Sequence, residues 1–132
     1  MRIFNPSPMK KYDPEIIENA TLVIVNAVEL DQIGGERLLE KYPNKLIVTL
    51  GEGGAKFHNG KAVMHIPTKK VDVVDTTGAG DTFMGALMVR LNEGAPIEDA
   101  VVFANTAAAI KCTKLGAQTG MPNREDVTSR LV

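Results

Sequence analysis

The chain has 132 residues, about one domain at roughly 150 residues each, so two full-sized domains do not fit. Lys and Arg number 15 against 16 Asp and Glu, a net charge of −1, which argues against a protein that grips nucleic acid or anionic membrane by bulk charge. A hydrophobic share of 44% and a charged share of 23% are globular values that argue against disorder. No apolar run nears the roughly 18 residues that span a bilayer, the start MRIFNPSPMKKYDP lacks a secretory leader's apolar core, and Cys112 has no second cysteine to pair with. These features predict a soluble, cytoplasmic, compact chain.

In chain order, Arg2-Ile3-Phe4 is extended and stops at Asn5-Pro6-Ser7-Pro8, where two prolines forbid a helix. Residues 13–19 (DPEIIEN) predict a short helix capped by Asp13 with Pro14 in its first position. Thr21 to Asn26 (TLVIVN) and Lys45 to Leu50 (KLIVTL) are continuous apolar runs, read as buried strands. Between them, residues 27–42 read as helix broken at Gly34-Gly35, with Leu38, Leu39 and Tyr42 facing a sheet. After Gly51-Glu52-Gly53-Gly54 comes a hairpin pattern, Lys56 to His58 and Lys61 to Ile66, joined by a two-residue Asn59-Gly60 turn. Val71 to Val74 reads as another strand. Gly80 to Asn92 reads as helix, with Phe83, Leu87 and Leu91 recurring and Gly94 past its end. Pro96 opens a helix running to about Lys114, with Ile97, Val101, Ala104 and Ala108 on one stripe and Gly116 beyond it. Asn123 caps a last helix reaching Leu131. The alternation predicts an α/β fold, a mostly parallel sheet with helices on both faces and one β-hairpin. Strand character at residue 2 fits the later portion of a longer protein, or a short edge strand at a true N-terminus.

The most informative stretch is Asp75 to Asp81, DTTGAGD, between a predicted strand and a predicted helix. Ligands of α/β sheets bind where strand carboxyl ends meet helix N-termini. Gly78 and Gly80 allow a tight turn and a close backbone approach, and amides at a helix start form an anion site. A carboxylate there, Asp81, opposes a bound phosphate unless it accepts a proton from an alcohol attacking that phosphate. Alternatively, Asp81 is an N-cap, the glycines are turn residues, and Thr76 and Thr77 end a strand. No G-x-x-x-x-G-K-[ST] or G-x-G-x-x-G is present, which removes the P-loop and dinucleotide-binding fingerprints.

VDTTGAGDTFMGAL (Val74 to Leu87) resembles the second signature of the pfkB, or ribokinase-type, carbohydrate kinases. Asn5-Pro6-Ser7-Pro8 resembles that family's NPAP turn, and Asn26-Ala27-Val28-Glu29 its N-x-x-E motif. Thr49-Leu50-Gly51-Glu52-Gly53-Gly54 resembles its T-L-G-x-x-G loop. Phe103-Ala104-Asn105, Lys114-Leu115-Gly116-Ala117-Gln118 and Met121-Pro122 resemble its ending, in the family's order.

The resemblance implies ATP-dependent phosphorylation of a sugar hydroxyl, ribose to ribose 5-phosphate above all. Asp81 is then the base. The amides of Ala79, Gly80 and Asp81, reached through Gly78, form an anion hole for the γ-phosphoryl group. Asn26 and Glu29 are implied near the phosphates, with Glu29 acting on Mg²⁺ through water. Thr49, Gly51, Glu52, Gly53 and Gly54 border the nucleotide, and Asn105 lies by the adenine. Asp75 with carbonyls of Thr77, Lys111, Lys114 and Gly116 resembles the family's K⁺ site, where Gly120 stands in place of a frequent serine. Without the family, Asn26 is a helix cap, Glu29 a solvated charge, and Lys111 and Lys114 cations at a helix C-terminus. His58 and His65 read as hairpin residues, Cys112, Met84 and Met88 as core.

The resemblance covers the family's C-terminal half. The half with the first Gly-Gly signature, most sugar contacts, the lid and the lid's homodimer contact is expected elsewhere, so these 132 residues alone are expected to be nearly inactive. Expected partners are a nucleotide and a small sugar, with neither nucleic acid nor membrane. Alternatives are a relative acting on fructose, a sugar acid or a nucleoside, and a non-catalytic nucleotide-binding module.

Overall fold

The computed structural model describes residues 2–5, 15–116 and 122–131. Pro6, Ser7, Pro8, Asp13, Pro14, Ala117, Gln118, Gly120 and Met121, named above, lie outside the described residues. The chain divides into two compact units, Met1–His65 and Ile66–Val132.

The first unit is built on an open sheet of order β1-β2-β3-β4-β5. Its strands are β1 (Ile3–Phe4), β2 (Leu22–Asn26), β3 (Leu46–Thr49), β4 (Ala55–His58) and β5 (Val63–Ile66). β1, β2 and β3 run parallel and β4 returns antiparallel to β3, so the sheet is mixed. Three short helices, α1 (Glu15–Asn19), α2 (Ala27–Ile33) and α3 (Arg37–Lys41), connect the parallel strands. Side chains alternate along a strand. Val23, Val25, Leu46 and Val48 therefore share one face, where they bury Ile17, Leu30, Leu38 and Leu39 of the helices. Leu22, Ile24 and Ile47 point the other way and are buried too. Burial on both faces is why these strands read as unbroken apolar runs.

The hairpin departs from expectation. Asn59 does not enter a two-residue turn with Gly60, because its Oδ1 accepts from the amides of Lys61 and Ala62 at 2.8 and 2.9 Å. That local capture makes an Asx-type loop and delays β5 to Val63.

The second unit holds α4 (Ala79–Asn92), α5 (Ile97–Cys112) and α6 (Arg124–Arg130). Val71 to Val74 is not a strand. Its apolar residues find no strand to pair with among the described residues, and Val73 and Val74 are exposed. The Val74 and Asp75 amides donate instead to Cys112 O, at 2.7 and 3.1 Å. The expected stripe of α5 is also too narrow. Val101, Phe103, Ala104, Asn105, Thr106, Ala107, Ala109, Ile110 and Lys111 are all buried, whereas Ala108 is half-buried. A helix apolar nearly all round is a buried one. Met88 is exposed and Cys112 half-buried, so neither is core. Asn123 caps α6 through a reciprocal pair with Asp126, and Val127 packs on Phe103, Ala107 and Ile110. Arg124 adds a two-pronged bond to Glu93, at 2.7 and 3.1 Å. Among the described residues no helix is long and apolar enough to cross a membrane.

Leu39 is 1% exposed within the first unit's core, whereas Val28 is 66% exposed. Leu39→Ala should lower unfolding stability by about 2–5 kcal/mol in urea denaturation. Val28→Ala should stay within about 0.5 kcal/mol of the parent. Equal losses from the two would contradict this core assignment.

Candidate active site

In the first unit, the parallel register pairs Asn26 with Thr49, so the ends of β2 and β3 lie side by side. Asn26 opens α2 in a capping box. Its Oδ1 accepts the Glu29 amide at 2.8 Å and Glu29 Oε1 accepts the Asn26 amide at 2.9 Å. Asn26 is thus a cap and remains exposed, so its side-chain N–H groups stay available. Glu29, 6% exposed, is not a solvated charge. Its Oε2 takes no hydrogen bond from the described residues. A lone carboxylate of this kind suits Mg²⁺, which is held mainly by phosphates and water. Among the described residues no three His, Cys, Asp or Glu side chains gather into a metal cluster.

Thr49 Oγ1 donates to Val25 O at 3.3 Å. A 3-10 turn, Gly51–Gly53, then reverses the chain into β4. Gly54 closes it at φ 89° and ψ −128°, a backbone region that side chains do not tolerate. The Gly51 and Glu52 amides meet no acceptor among the described residues. No residue pattern signalled the clasp beneath this loop, where His65 Nε2 donates to Gly53 O at 2.6 Å. His58 Nδ1 accepts the Gly60 amide at 3.0 Å, so both histidines serve the hairpin and its loop. An open cavity bordered by Phe4, Ile16 and Ala20 lies at the other end of β2 and holds none of the motif residues.

In the second unit, DTTGAGD forms a turn and the start of α4. Gly78 has φ 81° and ψ 2°, the third position of a type II turn, and the Ala79 amide closes it onto Thr76 O at 3.1 Å. The Ala79 amide is therefore spent, and it leaves the anion hole implied above. Thr82 makes the first helical bond, to Gly78 O at 2.9 Å. The amides of Gly80 and Asp81, between them, have no acceptor among the described residues. A Cβ placed on Gly80 would meet no atom within 4 Å, so the backbone there stands open. Asp81 is exposed and is not the N-cap: Gly78 holds that position, and the Asp81 carboxylate takes no hydrogen bond from the described residues. Thr82 Oγ1, buried next to it, has no partner among them either. Nothing in the sequence marks that hydroxyl.

Asp75 anchors this turn. Its Oδ1 accepts the Thr77 amide at 2.9 Å and its Oδ2 the Gly116 amide at 3.0 Å. The Thr77 hydroxyl, these two amides and the Lys111 charge hold its carboxyl well below the usual carboxylate range. Lys111 is fully buried, and its Nζ donates to Asp75 O at 2.9 Å and Lys114 O at 3.2 Å. The implied K⁺ site therefore does not fit. Its Lys114 carbonyl and the main-chain carbonyl of Asp75 already face an ammonium, and a second cation 4 Å from it would be repelled by about 4 kcal/mol at an effective dielectric of 20. The Lys111 carbonyl, an implied ligand, accepts the Lys114 amide at 3.1 Å. Asn105, implied to lie by an adenine, spends its side-chain amide within the second unit. It is 5% exposed, its Nδ2 donates to Ile66 O at 3.0 Å, and its carbonyl accepts from Thr68 Oγ1, so it pins the segment ahead of Asp75.

The chain belongs to the pfkB family of carbohydrate kinases, which matches residues 1–124. The ribokinase of Lactococcus lactis is 41% identical over 133 residues, covering 98% of this chain and 44% of that protein. Thermotoga maritima ribokinase superposes with a TM-score of 0.86 at 39% identity, over 98% of this chain and 48% of that one. Arabidopsis thaliana ribokinase, solved with ribose and ATP, superposes with a TM-score of 0.83 at 26% identity, over 98% and 46%. The fold is thus ribokinase-like, and the chain spans about half the length of these relatives.

Because the Asp75 pKa is depressed in the fold, its stabilisation is complete above the unfolded value of about 3.9 and fades as pH falls below it. Asp75→Asn should melt below the parent at neutral pH, and the gap should close in melts below about pH 4. A gap that is constant across that range would contradict the assigned role.

Proposed function

We propose that this chain carries the nucleotide-phosphate pocket and the catalytic base of an ATP-dependent sugar kinase acting on ribose. The observation that carries the reading is the start of α4, where the Gly80 and Asp81 amides point to no protein acceptor among the described residues and an exposed carboxylate stands beside them. A relative solved with ribose and ATP supports both the donor and the acceptor.

The γ-phosphoryl group lies against the Gly80 and Asp81 amides, where the α4 dipole adds to their pull as charge spreads over its oxygens. The Asp81 carboxylate takes the proton of the acceptor hydroxyl while that oxygen bonds to phosphorus and the bond to ADP breaks. Within the first unit taken by itself, the amides of Gly51 and Glu52 and the side chain of Asn26 stand open to an anion. Glu29 would hold Mg²⁺ through water, and the ion would supply charge to neutralise phosphate oxygens.

Magnitudes separate a base from a mere helix-end charge. Loss of a favourable charge in the first helical turn costs about 0.3–1 kcal/mol of stability. Loss of a general base costs about 10²–10⁴-fold in rate. In the full-length protein that carries this chain, Asp81→Asn should lose turnover in the larger range while calorimetry shows ATP affinity nearly unchanged. Turnover within about tenfold of the parent would remove Asp81 from the mechanism. Gly80→Ala should fold as well as the parent, since its Cβ meets open space, yet lose turnover because the methyl stands where the phosphoryl group approaches. Comparing ribose, fructose and adenosine as acceptors in the same assay tests the sugar assignment. A preference for either of the other two would replace ribose.

A further inference from the structure

Lysine is rarely buried fully unless its charge is paired. Lys111 is 0% exposed, and the ion pairs found among the described residues are those of Lys56, Arg90 and Arg124 with glutamates. What receives the Lys111 ammonium is a pair of backbone carbonyls, Asp75 O and Lys114 O, from chain segments 36 and 3 residues away. Carbonyl oxygens gathered from separate segments are the surroundings in which a monovalent metal ion sheds its water. The ammonium, a compact point charge with three donors, is the side-chain group closest to such an ion.

We propose that the Lys111 ammonium is a built-in substitute for a monovalent cation, clasping the Asp75 turn to the end of α5 so that the start of α4 is ordered without K⁺. Further bonds converge on the same point. The Asp75 carboxylate joins the Thr77 and Gly116 amides, and Cys112 O takes the Val74 and Asp75 amides. Lys111 reaches from the last turn of α5 into the midst of these bonds, and Thr77, held through Asp75, is the second residue of the turn whose third is Gly78. A cation helping a helix C-terminus does not by itself account for the burial of Lys111. The link to catalysis rests on the kinase reading, but the clasp does not.

Thermal melts of the chain in potassium chloride and in tetramethylammonium chloride at equal ionic strength test the clasp without any activity. The parent should melt at the same temperature in both. Lys111→Met keeps the stem and removes the charge, and should melt roughly 8–16 °C lower in both salts. Lys111→Ala opens room at the carbonyls, and should fall similarly in tetramethylammonium but recover in part in potassium. A parent stabilised by potassium over tetramethylammonium overturns the proposal even if both variants fail to fold. So does a Lys111→Met variant that melts like the parent, or a Lys111→Ala variant indifferent to potassium. In the full-length protein, turnover should be independent of potassium in the parent and dependent on it in Lys111→Ala. Loss of this last result alone overturns the catalytic link and leaves the clasp standing.

Discussion

The second unit depends on how Asp75 is held. The segment from Val71 to Asp75 has no sheet to lean on among the described residues, so its backbone must be satisfied by other means. Cys112 O takes two of its amides, Lys111 takes its last carbonyl, and the Asp75 carboxylate reaches forward to Thr77 and across to Gly116. A turn fixed this firmly can close on Ala79 and leave the next two amides to something outside the protein. The order of α4 thus begins one element earlier, in a knot between a carboxylate and the end of another helix.

The fold was largely legible where burial is continuous. TLVIVN and KLIVTL read as buried strands because both faces of the sheet are covered, and β2 and β3 fall within those runs. The break at Gly34-Gly35, the close of α4 near Gly94 and the Asn123 cap of α6 were equally plain, since each uses local backbone chemistry. Val71 to Val74 misled because β-branched composition reports fitness for a strand, not the presence of a partner. The Asn59 turn misled for a different reason. An Asn-Gly pair favours a two-residue hairpin, but Asn59 Oδ1 found two amides within reach and made a longer loop.

The site divides along the same line. Its residue types and order carried the family, because turns and helix starts are written locally. The functions of single side chains were less legible, since they turn on distant partners. Asn105 meets Ile66 and Thr68, nearly forty positions away, and His65 meets the loop at Gly53. Lys111 is the sharpest case. A lysine in the last turn of a helix reads as a cation for that helix's C-terminus, and only the packing of the Asp75 segment makes it a buried donor to carbonyls from two segments.

The central claim is that two backbone amides at the start of α4 receive a phosphoryl group. Amide-resolved NMR of the chain during titration with a non-hydrolysable ATP analogue and Mg²⁺ tests it most directly. The account predicts saturable downfield shifts at Gly80 and Asp81 on forming new hydrogen bonds, with a smaller change at Ala79, whose amide is already bound to Thr76. Saturable binding that leaves Gly80 and Asp81 unmoved would contradict it.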